Sequence, residues 1–195
     1  MSFLNADGSI VRSMDGPNHA GLNRTSWNLT EEPPIKWHKA KEWNQGPDDG
    51  AGIVPGTYTV RLQVAGAMQT QPVTVAADPR APWTQADYVA RYQFLHVLID
   101  ELSAIDEVLN RLDAKANHGG LSSHDRELYA KLTSGPLNSE DDQHRPDMLR
   151  ERIQILLDDP SLSKGPPTPA QLQEAADAKA QFDSLMSEVR SSTTR

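Results

Sequence analysis

The chain contains no cysteine among its 195 residues, which removes disulfide staples, thiolate metal sites and cysteine nucleophiles together. That absence leaves the compartment open. No apolar run approaches the ~18 residues that a membrane-crossing helix needs, so no membrane span is expected. Excess positive charge is missing too. The formal net charge is -8, whereas gripping a phosphate backbone requires clustered Lys and Arg, so no nucleic-acid partner is expected. The start, MSFLNADGSI, lacks the basic and then apolar build of a signal peptide. There is no G-x-S-x-G elbow, Walker loop, dinucleotide fingerprint or HExxH pair. Glycoside hydrolysis needs two carboxyl groups held across a cleft, and nothing in the sequence selects a pair. The expectation is a protein that is not an enzyme, with no catalytic residue, metal or cofactor.

What is present is a change of hydrophobic rhythm near Arg80. Before it, Asp7-Gly8 lies between Phe3-Leu4 and Ile10-Val11, a tight hairpin signal. Ala20 to Leu29 reads as a strand, with Thr25, Trp27 and Leu29 on one face. Pro55-Gly56 turns the chain into Thr57–Val64, where Tyr58, Val60, Leu62 and Val64 should face inward. Ala65-Gly66-Ala67 then reverses it into Met68–Val75, and Pro72, which cannot donate to a ladder, predicts a strand at an edge or one locally interrupted. Several short strands with turns between them predict a β-sandwich over residues 1–80.

After Arg80 the period becomes helical. Thr84 with Asp87 is a variant capping box, and Tyr88, Tyr92, Leu95, Ile99, Leu102, Ile105, Leu109 and Leu112 form one stripe over about Gln85 to Ala116. Ser122 or Ser123 caps a shorter helix through Leu132. Pro146 suits the first turn of a third helix, with Leu149, Ile153, Leu156 and Leu157 buried. Thr168-Pro169 opens a fourth, facing inward with Leu172, Ala175, Ala178, Phe182, Leu185 and Val189. Residues 81–195 are therefore expected to form an antiparallel α-helical bundle, and the whole chain to be α+β. The charge is uneven, with 19 acidic and 12 basic side chains in residues 81–195.

In order and spacing, LNADGSIVRSM, AGLNRTSWNL, VPGTYTVRLQVAG and TQPVTVAADPR resemble the immunoglobulin-like module related to that of the flagellar hook-capping protein. The version most similar follows the sortilin-type BNR-repeat propeller of large bacterial proteins labelled glycosyl hydrolases, and continues after "DPR" into a helical segment. Gly21-Leu22-Asn23-Arg24 with Trp27, and Pro55-Gly56-Thr57-Tyr58 with Val60 and Leu62, carry most of the resemblance; Asn28 stands where that family has Asp. The resemblance implies an immunoglobulin-like sandwich with its first strand cut short, without the propeller that would bear any hydrolase activity. It also implies a non-catalytic structural or interaction module, the C-terminal accessory region of a secreted or periplasmic parent, with the missing propeller or a second copy as partner. The alternative it allows is a carbohydrate-binding module.

Trp27 reads as core, since aromatics dominate sandwich interiors. The candidate ligand-binding residues are Trp37, His38 and Trp43, in a polar loop with Lys36, Lys39 and Lys41 where aromatic faces and cations could hold a carbohydrate. The other reading packs that loop onto the helical half or the absent propeller. His118, His124 with Asp125, and His144 after Asp141-Asp142 lack metal-ligand spacing and read as solvated. So do Asp48-Asp49-Gly50 and Ser139–Asp142 as calcium loops. His96, beside the stripe, reads as a satisfied interhelical histidine.

Overall fold

The computed structural model describes residues 1–41, 44–137, 145–163 and 165–193. It is α+β: four strands, β1 (Ser2–Leu4), β2 (Ile10–Ser13), β3 (Gly56–Val64) and β4 (Ala67–Val75), precede four helices, α1 (Gln85–Gly119), α2 (Ser123–Leu132), α3 (Leu149–Leu157) and α4 (Pro169–Thr193). The strands form one antiparallel sheet in the order β2-β1-β3-β4. At the β1–β2 bend Gly8 takes φ +85°, and the Asp7 carboxylate accepts bonds from the Ser9 N–H and hydroxyl. Ala65 and Gly66, both at positive φ, make the two-residue turn into β4. β4 is the edge strand that Pro72 signalled.

Residues 20–29 form no strand, against expectation, and among the described residues no second sheet faces the first. The local cause is polar competition for the backbone. The Asn23 amide donates to the carbonyls of His19 and Gly21, and the Thr30 hydroxyl bonds Asn28. Gly21 (φ +100°) and Leu29 (φ +63°) break the extended path. The segment instead lays Trp27 across the sheet, stacked on Phe3 at 4.1 Å and edge-on to Tyr58 at 5.8 Å. Trp27 packs as read, but half-buried and from a coil. Along β3 only Tyr58 is buried. Val60 is half-buried, while Leu62 and Val64, expected inside, are exposed.

The helices begin where the caps dictate. Thr84 and Asp87 form both arms of a capping box, as do Ser122 and Asp125, and Thr168 exchanges equivalent bonds with Gln171. The α3 helix starts three residues beyond Pro146, at Leu149, without a side-chain cap. Lys115 bonds Asp125, Asp106 bonds Arg150, and Arg91 bonds the Leu162 carbonyl. The column made of α2 and then α3 thus descends antiparallel to α1. Along α4, residues 172–189 run beside 94–112 of α1 in the same direction. The result is an up-down-up bundle with a broken middle column. Its core joins Leu98, Leu102, Ile105 and Leu109 of α1 to Leu132, Leu149, Ile153, Ala178 and Leu185. Trp37 and Ala51, from before Arg80, belong to this core. Leu172, expected inside, is 50 % exposed.

Candidate functional site

Positions 106, 110 and 113 of α1 fall on one face, a step away from the apolar stripe. Their side chains hold the loop of residues 36–39 against the helix. The Trp37 N–H donates to Asp106 Oδ2 (2.9 Å) and its indole Nε1 to Asp113 Oδ2 (2.8 Å). Asn110 accepts from the His38 N–H and donates to the Lys36 carbonyl, while Lys39 pairs with Asp113 at 2.6 Å. Trp37 is 2 % exposed. Its ring meets Tyr129 edge-on, and the Arg150 guanidinium sits 5.4 Å from it. A sugar platform must show its face to solvent, and Trp37 does not. The packing alternative describes this side chain. His38 is exposed, anchored by its backbone, and Trp43 lies outside the described residues. The loop therefore brings no aromatic pair together among the described residues.

Beneath Trp37 lies a buried ion pair that the sequence reading missed. Arg150, fully buried, donates from Nε and Nη2 to the two oxygens of Asp106 (2.6 and 3.0 Å), and from Nη1 to the Asn44 carbonyl (2.7 Å). Nearby, Glu151 accepts from the Thr133 hydroxyl and the Ser134 N–H. These groups back a cleft of about 300 Å³ between Asn44, Ser134 and Gln154. Their oxygens are already spent on neighbours, so they act as positioned structure. Asp106 follows Ile105 and Arg150 follows Leu149. A charge flanked by stripe residues was the available signal, but pairing across 44 residues was not readable.

The sheet meets the helices at Glu31. Its N–H donates to the Ala51 carbonyl and its carbonyl accepts from Arg12, while Oε1 accepts from the Tyr92 hydroxyl (2.6 Å) and Oε2 pairs with His96 Nδ1 (2.8 Å). His96 is therefore satisfied, but by the N-terminal segment and not by another helix. Asp100 flanks its Nε2 at 3.6 Å. Gly50 is required here, because a Cβ would lie 2.4 Å from the Glu32 carbonyl oxygen.

A carboxylate–histidine pair beside a tyrosine suggests acid–base chemistry, yet the geometry points away from it. Burial, then the Glu31 bond and charge, push the Tyr92 hydroxyl well above its usual range and keep it a neutral donor. Tyr58, raised by burial, donates to the Val54 carbonyl. The adjoining hollow is about 180 Å³, and both Glu31 oxygens are occupied within the protein. A general base needs a free lone pair facing a substrate, and Glu31 has its oxygens turned inward.

His118 and His124 are exposed, and Asp125 is spent on Lys115 and Ser122, the Lys115 bond foremost in holding its carboxyl down at about 2. Asp48 pairs with Lys36 and Asp49 with Arg12. His144 and Ser139–Asp142 lie outside the described residues. Among the described residues no group of three His, Cys, Asp or Glu side chains could hold a metal ion, and no helix is long and apolar enough to cross a membrane. No protein-family profile, curated protein or solved structure matches the chain.

Proposed function

We propose that this protein is a non-catalytic structural and interaction module. Its sheet is one layer of an immunoglobulin-type unit whose facing layer comes from a partner. The resemblance to the C-terminal region of BNR-repeat propeller proteins supplies the context: an accessory part of a secreted or periplasmic parent, seated on the propeller or on a second copy. The observation that supports this reading is the outer half of the β3–β4 hairpin, where Leu62 is 45 % exposed and Val64 60 %. Leu62 and Val64 continue the same face as Tyr58 beyond the reach of Trp27. Among the described residues the outer edge of β4 is unpaired and carries no charged residue, Pro72 being its one guard against pairing.

Sedimentation velocity of the chain over a rising concentration series tests the proposal. Reversible self-association is expected, with the double variant Leu62→Glu, Val64→Glu remaining monomeric. A second arm places the chain behind a BNR-repeat propeller and follows amide exchange in the hairpin, where slowing is expected. A clean monomer at millimolar concentration, together with an unprotected hairpin behind the propeller, would overturn the reading.

A further inference from the structure

The seam between α1 and α4 holds an acid without a partner. Glu101 is 4 % exposed, and neither carboxylate oxygen has a hydrogen-bond partner or solvent contact. It lines an open groove of about 500 Å³ together with Phe94, Val97, Pro166, Pro167, Leu172 and Ala175. Val97 and Leu172 show 45 % and 50 % of their surface in it, so two large apolar side chains of a helical seam stand open.

The cation in the groove, Lys179, is engaged elsewhere. Its Nζ lies 2.6 Å from both oxygens of Asp183 and 5.8 Å from the Phe182 ring centre. The charges acting on Glu101 are therefore Asp100 from its own helix and Lys179 and Asp183 from α4. Counting Glu101 itself when ionised, carboxylates outnumber the ammonium three to one.

We propose that this groove binds a small aliphatic amine, its chain along the apolar walls and its ammonium paired with Glu101. The volume falls within the range of small-ligand pockets, and a few polar groups in a mostly apolar cleft are their usual build. Glu101 is among the residues that line the groove, and an ammonium there would give its two unpartnered oxygens their partner. Burial holds the Glu101 acid up to about 7, so an ammonium arriving below that pH displaces the proton as it pairs with the carboxylate.

The test uses the full chain and n-hexylamine at about pH 8, where Glu101 is ionised, followed by amide chemical shifts at Val97, Ala175 and Ala176. Hexan-1-ol supplies the same chain without charge, and Nα-acetyl-lysine amide supplies the same head on a peptide. Saturable binding of hexylamine at least tenfold tighter than hexanol is expected. The preference should vanish in Glu101→Gln, which keeps the shape, and grow in Lys179→Met, which removes the competing cation. Equal binding of hexylamine and hexanol would overturn the proposal. So would a preference that survives Glu101→Gln, or binding of the lysine amide alone, which would mark a contact for a partner's lysine.

Discussion

The outer half of the β3–β4 hairpin and the middle of α1 are both written with regularly spaced apolar side chains, and they meet opposite fates. Leu62 and Val64 stand in solvent, whereas Leu98, Leu102, Ile105 and Leu109 are at most 1 % exposed. Regular spacing only aligns a face; burial needs a second surface. For α1 that surface comes from α2, α3, α4 and the Trp37 loop. For the outer half of the hairpin no such surface appears among the described residues, Trp27 reaching only Phe3 and Tyr58. Fully burying a Leu or Val is worth about 1.5–3 kcal/mol, so the helical half holds most of the stability, while the hairpin leaves apolar surface bare.

The sharpest way to break this asymmetry is Asp106→Ala. It leaves Arg150 charged, buried and unpaired, and removes the acceptor of the Trp37 N–H; a loss of about 3–5 kcal/mol is expected in chemical denaturation. Trp37→Ala should cost about the same, roughly 3–5 kcal/mol. Trp27→Ala, at a half-buried position over the sheet, should cost about 1–2 kcal/mol. Equal losses for the two tryptophans would show that the sheet is as tightly integrated as the bundle.

Glu101 gives a pH-dependent contrast. Its folded acid is raised from 4.5 to about 7, chiefly by burial, so the native state holds a proton that the unfolded chain has released. Stability should be unpenalised below about pH 4.5, fall through about pH 7 and level off above it, by about 3 kcal/mol in all. Glu101→Gln should flatten that segment of the stability-against-pH curve and make the protein more stable than wild type at alkaline pH. Last comes the hairpin. Leu62→Glu with Val64→Glu should change monomer stability by about 0.5 kcal/mol or less while abolishing association. A large destabilisation would mean that the hairpin is packed within the monomer.

Much of the fold was legible because its signals are local. The α1, α2 and α4 helices start at their capping residues, the Asp7-Gly8 bend and Ala65-Gly66 turn form where expected, and β4 lies at an edge. The failures are non-local. A strand needs a partner edge, and the free side of β2 is taken by Glu32, whose N–H donates to the Val11 carbonyl and whose carboxylate accepts from the Ser13 N–H. Residues 20–29 were left as coil. The loop aromatics were ambiguous because whether Trp37 faces a sugar or a core depends on three α1 side chains about seventy residues away.

The sequence by itself determined where each regular element starts, its period and its caps, because these depend on neighbours within about four positions along the chain. Only the tertiary structure decided which faces are covered: Trp37 sealed over Arg150 and Asp106, Glu31 joining sheet to helix, Glu101 stranded in the α1–α4 seam, and Leu62 and Val64 left bare. Such outcomes turn on which surfaces meet through space, and spacing along a chain does not encode that meeting directly.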